Sequence, residues 1–255
     1  MAEEKNQKNA SAKKKSSQQG FLYGVIIALL IMMGILLFIV LNDRNAGVKS
    51  NSDQGTQGTD TAQQAPSQSA DISKVDTKGE PFIGNQDAPV TMAYWFDYQC
   101  PYCKKFETDT LPELKKKYID TGKLKVVFKD FQFLGPDSQT AGAAAEAVWE
   151  LYPSKFFDWQ TAIFNAQGTE NSGYDSKDNI IKLTKTISGI DADKVSNLMD
   201  QKKSDIQTEL DGDKTEGEGM GVESTPAFII GKQLINGAES ASTFEKAIDS
   251  ELNKK

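Results

Sequence analysis

No histidine occurs in these 255 residues. That one absence removes Ser-His-Asp and Cys-His nucleophile pairs, histidine-ligated zinc and haem, and imidazole acid–base chemistry together. Cysteine is nearly absent as well, Cys100 and Cys103 being the whole supply. Two thiols cannot staple a disulfide-rich scaffold, nor build a four-cysteine zinc or iron–sulfur site from one chain. Basic clusters are missing from the bulk of the chain. The first twenty residues hold five lysines against two glutamates, a balance of +3, so a chain of net −7 leaves −10 for everything after Gly20. An acidic body of this kind excludes a nucleic-acid partner, which needs lysine and arginine gathered on one face. Mean hydropathy is −0.49, too low for a polytopic membrane protein.

One stretch runs against that average. From Phe21 to Leu41 there is no charged residue, and 21 residues at about 1.5 Å each cover a bilayer core. The apolar run is longer than a signal-peptide core, and Leu41-Asn42-Asp43-Arg44 makes a poor cleavage site. The sequence therefore predicts an uncleaved signal-anchor helix at 21–41. The lysines before it, against only Arg44 and Lys49 soon after, predict a cytoplasmic tail at 1–20 and an extracytoplasmic remainder in the cell membrane. Lipid anchoring is excluded, since no cysteine lies near the helix. Residues 42–76 are rich in Asn, Ser, Gln, Thr, Gly and Asp. They read as a disordered tether, on the order of 33 Å in reach as a flexible coil.

The folded part is then expected at 77–255. Apolar runs predict strands at 90–96, 124–131, 227–230 and 233–236, with a helix starting near Cys100 that Pro112 kinks or restarts. A helical insertion is expected over about 138–219, broken at Pro153, near Gly168–Gly173 and at Gly189–Asp191, with Trp149, Phe156, Phe157, Trp159 and Phe164 as its core. A last helix is signed by a capping box, Ser242 with Glu245, and by Phe244, Ile248 and Leu252 at four-residue spacing. The order β-α-β, helices, β-β-α predicts a mixed α/β sheet with one parallel pair, one hairpin and helices on both faces.

Cys100-Pro101-Tyr102-Cys103 follows an apolar strand and opens a helix. Free backbone N–H groups and the positive dipole end at that place favour a thiolate, and Pro101 suits the first turn because its missing N–H loses no partner. Such a sulfur both attacks and leaves readily, and stabilising the reduced pair makes the oxidised pair a stronger oxidant. A redox-active pair is the favoured reading. An idle buried pair, a structural disulfide closing a very short loop, and half of an intersubunit metal site are the rivals. Far along the chain, Pro226 heads an apolar strand, where a cis Thr225–Pro226 bond would turn the backbone sharply beside the sheet.

These pieces together, from about Glu80 to Asn253, resemble a known family. The matching runs are Asp87-Ala88-Pro89-Val90, residues 96–106 around the cysteines, Leu111-Pro112-Glu113-Leu114, 118–122, Ser224-Thr225-Pro226-Ala227-Phe228 and Asn236-Gly237-Ala238. The chain is similar to bacterial DsbA-like thiol–disulfide oxidoreductases, especially the membrane-anchored BdbD-like members. The resemblance implies a thioredoxin fold with an inserted helical domain, Cys100 as exposed nucleophile and Cys103 as resolving cysteine. It implies Thr225 and Pro226 as the loop that meets substrate by strand addition. It also implies no cofactor beyond the redox pair, reduced exported proteins as clients, and a quinone-linked membrane protein that reoxidises the pair. Oxidase is the preferred direction, with a reductase or isomerase of the same fold, and a non-catalytic chaperone or binding module, as alternatives. Two departures stand out. Tyr102 takes the place of the histidine found in the strongest oxidants of the family, which leaves the thiolate less stabilised. Tyr94 stands where many relatives carry a buried carboxylate for proton transfer. Asp97, Lys104 and Lys105 read as surface charge. Calcium is known in one branch of the family. Asp175, Asp178 and Asn179 could supply oxygens but read as helix caps, and no metal is expected.

Overall fold

A computed structural model of the chain describes residues 70–254. The expected tail and membrane helix lie outside the described residues, as does the tether up to residue 69. Among the described residues no helix is long and apolar enough to cross a membrane.

Five strands form one sheet in the order β1-β3-β2-β4-β5. They are β1 (Phe82–Ile83), β2 (Val90–Phe96), β3 (Leu124–Asp130), β4 (Ala227–Ile230) and β5 (Gln233–Asn236). β2 and β3 are parallel over all seven residues, from Val90 opposite Leu124 to Phe96 opposite Asp130; the other pairs are antiparallel. Four strands lie where alternation and apolar runs put them, β3 ending one residue early. β1 is new. Two residues carry no periodicity to read, and only the exposed edge of β3 makes Phe82-Ile83 a strand.

The pleat separates two cores. Met92, Tyr94 and Phe96 face the larger one, with Phe128, Phe228, Phe244 and the aromatics of the insertion; Ala93 and Trp95 face a smaller one with Phe131, Val222 and Ile229. Ala70 and Val75 belong to that smaller core, and the Ile72 N–H bonds the Gly231 carbonyl at 2.8 Å. Packed structure thus begins by residue 70, inside the segment that composition assigns to the tether. Three apolar residues cannot fold by themselves, but the second face of the sheet needs a cover and takes them. Gly217 answers a steric need at the same face: a Cβ there would lie 2.8 Å from Trp95 Nε1, whose N–H bonds the Asp213 carbonyl at 3.0 Å.

The insertion runs through helices at Pro136–Leu151, Phe156–Ala166, Lys177–Thr184, Ala192–Gln201 and Lys203–Gly219. Phe156, Trp159 and Phe164 are buried, while Trp149 and Phe157 pack partly covered against them. In the last helix, Ala241–Leu252, the expected capping box does not form. Ser240 occupies the N-cap, its hydroxyl pairs with Ser242 and Thr243, and Glu245 instead binds Lys117 at 2.9 Å. Phe244 and Ile248 bury as their spacing requires.

Behind the parallel pair sits a second unforeseen feature. Lys129 on β3 is 2% exposed, and its ammonium binds Glu80 at 2.6 Å, Asp213 at 2.5 Å and Glu216 at 3.2 Å. Burial alone would lower its pKa, but Asp213 and Glu80 reverse that and hold it above the ordinary lysine value. The acids respond the other way: burial, reinforced by Asp213, pushes Glu80 up to about 8. Burial, then Asp130, pushes Glu146 up to about 10. This ammonium is what lets several carboxyls share one interior site.

Candidate active site

The end of β2 positions the dithiol. Cys100 is the N-cap of the helix Pro101–Lys105, with extended backbone (φ −75°, ψ 118°), and Pro101 takes the first helical position. The Cys103 and Lys104 N–H groups close on the Cys100 carbonyl at 3.1 and 3.2 Å, and the Cys100 N–H bonds the Asp97 carbonyl at 3.0 Å. Pro112 restarts the helix at Leu111–Leu114 after a π-turn at Phe106–Thr110. Cys100, expected as an exposed nucleophile, is buried at 4% exposure under the Thr225–Pro226 loop, Cys103 is fully buried, and both are free thiols.

The other half of the site arrives through strand register. β4 runs antiparallel to β2 with Ala227 opposite Trp95, so the two residues before β4 must lie beside the loop after β2. They are Thr225 and Pro226, joined by a cis peptide bond. The Cys100 thiol donates to the Thr225 carbonyl at 3.4 Å. The Thr225 hydroxyl is buried without a hydrogen-bond partner, and Thr225 lowers the pKa of both sulfurs. Tyr102 stands 63% exposed beside the nucleophile position, and Tyr102 and Phe133 are the large apolar side chains left exposed among the described residues.

These contacts split the two thiols. A hydrogen bond from the Cys103 thiol lowers Cys100 most; burial opposes it, and Thr225 with the Cys103 and Tyr102 N–H groups brings Cys100 to about 6. Burial pushes Cys103 well above the ordinary thiol value, and the neighbouring Cys100 sulfur adds to the rise. The imidazolium that the sequence lacks is replaced by neutral donors. Thiolate absorbance of the reduced chain is therefore expected to show one inflection near pH 6 and none from Cys103 until well into alkali. Two coincident inflections near the free-cysteine value of about 8.5 would contradict this geometry.

Asp97 is the clearest correction. It is fully buried, not a surface charge. Its carboxylate accepts from the N–H groups of Gln99 at 2.8 Å, Phe133 at 2.9 Å and Leu134 at 3.1 Å, and from the Ser138 hydroxyl at 2.6 Å. It thereby ties the segment before Cys100 to the loop after β3. The insertion grips the same segment. Gln167 Nε2 donates to the Tyr98 carbonyl at 2.7 Å and the Cys100 carbonyl at 3.1 Å, and Gln99 Nε2 donates to Asp175 at 2.6 Å. Asp175 is buried in that bond, and Asn179 donates to the Gly173 carbonyl at 2.8 Å. Among the described residues no group of three or more acidic or cysteine side chains is arranged to hold a metal. Lys104 and Lys105 stay at the surface.

A dithiol of unequal acidity at a strand-to-helix junction, faced by a cis-proline loop, on a mixed sheet interrupted by helices, defines a class. It is that of thiol–disulfide oxidoreductases with a thioredoxin fold and a helical insertion. The family description "Thioredoxin" matches residues 76–250, and the chain belongs to that family. It is 30% identical to disulfide bond formation protein D of Bacillus subtilis (strain 168) over 178 residues, 70% of this chain and 79% of that one. It is 26% identical to the probable disulfide bond formation protein D of Bacillus anthracis over 243 residues, 94% of this chain and all of that one. The crystal structure of oxidised BdbD from Bacillus subtilis superimposes with a TM-score of 0.65 at 28% identity, covering 73% of this chain and 97% of that one.

Proposed function

We propose that this chain is an extracytoplasmic dithiol oxidase that donates the Cys100–Cys103 disulfide to reduced exported proteins. It is held at the membrane by residues 21–41. The observation that carries the direction is the acidity of Cys100, brought to about 6. At neutral pH that sulfur is mostly thiolate once reduced. The preference for the reduced pair amounts to about 1.4 kcal/mol, or about 30 mV, over a dithiol of ordinary acidity.

The reaction follows from the unequal acidity of the two thiols. A client thiolate attacks the Cys100 sulfur of the oxidised pair, and Cys103 leaves as a thiolate and takes up a proton. A second client thiolate then attacks the client sulfur of the mixed disulfide, and Cys100 leaves as the better of the two leaving groups. The client loses two electrons and two protons; the dithiol holds the electrons until a quinone-linked membrane protein removes them. Thr225 and Pro226 supply the loop against which an extended client segment lies, and Tyr102 offers it an exposed aromatic face. The names of the Bacillus relatives support this direction. Equilibrating the full chain with glutathione buffers is expected to return a potential clearly above thioredoxin's roughly −270 mV. A value at or below it would make the chain a reductase.

A further inference from the structure

Residues 97–100 have left β2 and not yet entered the helix Pro101–Lys105, and no strand pairs with them. The place of the Cys100 sulfur depends on their backbone all the same. It must lie where the Tyr102 and Cys103 N–H groups reach it and where it can donate to the Thr225 carbonyl at 3.4 Å. One side chain does the work of the missing strand. Gln167 Nε2 carries two N–H groups, and it reaches the Tyr98 carbonyl at 2.7 Å and the Cys100 carbonyl at 3.1 Å. Alternate residues of an extended chain face the same way, which lets a single amide span both carbonyls.

The insertion fixes that amide firmly. Gln167 caps the C-terminus of the helix Phe156–Ala166, its N–H on the Phe164 carbonyl at 3.2 Å. Beyond it, the Asn171 N–H donates to Gln99 Oε1 at 2.8 Å, Gln99 Nε2 donates to Asp175 at 2.6 Å, and the Asn171 side-chain amide donates to the Leu134 carbonyl. Seating this loop requires two uncommon backbone conformations. Asn171 has φ 50°, and Gly135 has φ 111°, where a Cβ would come within 2.5 Å of the Asn171 side chain. Backbone held in such regions by several bonds marks a demand from the site it serves.

The demand differs between the two redox forms. In the oxidised pair the covalent ring itself ties residue 100 to residue 103. In the dithiol described here both sulfurs are free, and hydrogen bonds alone keep Cys100 in place. Bonds that fix its backbone therefore stabilise the reduced form more than the oxidised one, which makes the oxidised form a stronger oxidant. We propose that Gln167 is a positioning residue for the redox reaction: from the insertion it holds residues 98–100 so that the Cys100 sulfur stays over the helix N-terminus and against Thr225, and it thereby sets how strongly the pair oxidises. The inference rests on reading Cys100 and Cys103 as the redox pair.

The test is the glutathione equilibrium of the full chain, in which the oxidised pair takes two electrons and two protons from two glutathione thiols and leaves one glutathione disulfide. Gln167→Met keeps the length of the side chain and adds no charge, but removes both donors. It is expected to lower the equilibrium constant about tenfold, the size of one hydrogen bond, which is about 30 mV. The Cys100 inflection, near pH 6 in the parent, should rise by about one pH unit. Gln167→Asn, one methylene shorter and able to reach one carbonyl at most, should fall between the two. The Tm of Gln167→Met should drop further in the reduced form than in the oxidised form, which a bond of merely structural value would not produce. An unchanged potential in Gln167→Met, or equal drops of Tm in the two forms, would overturn the positioning role. A parent potential at or below roughly −270 mV would overturn the oxidase direction instead, and the difference between parent and variant would still decide Gln167.

Discussion

Cys103→Ser in the full chain is expected to accumulate mixed disulfides between Cys100 and proteins that carry disulfides, because nothing remains to resolve them. Cys100→Ser should form none, and should lose oxidase activity by at least on the order of 10³-fold. The asymmetry follows from position. Cys100 is the sulfur that keeps a little exposure and gathers the donors, while Cys103 is enclosed and pushed up by burial. Raw alkylation speed is a poor readout. A thiol at about 6 is roughly 30 times more ionised at neutral pH than an ordinary one, but its lower basicity takes back most of that gain. Its advantage lies in leaving, which releases the oxidised client. Non-reducing electrophoresis of the two variants from cells decides the matter: adducts through Cys103 in Cys100→Ser, or none in Cys103→Ser, would reverse or remove the assignment.

Lys129→Met is expected to destabilise the folded domain by about 3–5 kcal/mol, since it leaves buried carboxylates without their cation. For a domain of this size that is a fall in Tm of roughly 6–20 °C. The pH dependence has a definite sign. Glu80 and Asp213 are already raised in the folded state, chiefly by burial. Groups raised in this way add stability that is fully present below their unfolded values near about 4 and is lost as pH rises through their folded values. Removing the ammonium raises those folded values further. The deficit against the parent protein should therefore be small near about pH 4 and reach its full size above about pH 8. Urea midpoints at the two ends of that range measure it. A deficit that shrinks as pH rises would mean that Lys129 is not what neutralises the cluster.

Local pattern carried much of this molecule. β2, β4 and β5 sit at the residues where apolar runs end at turn formers. The insertion breaks at Pro153, around Gly168–Gly173 and at Gly189, because a missing N–H or a left-handed glycine is a property of one residue. The CPYC pair was legible for the same reason: strand, helix start, proline and cysteines lie within the fourteen consecutive positions 90–103. The capping box failed because Ser240 and Ser242 are equally good caps in isolation, and chain entry from the β5 turn selects the first. Asp97 was misread because nothing around it in sequence names its donors. Three of them belong to Phe133, Leu134 and Ser138, brought to it only when β3 lies parallel to β2.

The sequence by itself determined that the chemistry is thiol chemistry. It left no histidine and only two cysteines, and it set those at the one place where backbone amides point at a sulfur. Tertiary structure alone decided what those sulfurs are worth. The Thr225 contacts and the Gln167 clamp come from segments more than 60 residues away along the chain. Acidity depends on which charges and dipoles end up within a few ångströms, and that is a distance the order of residues does not contain.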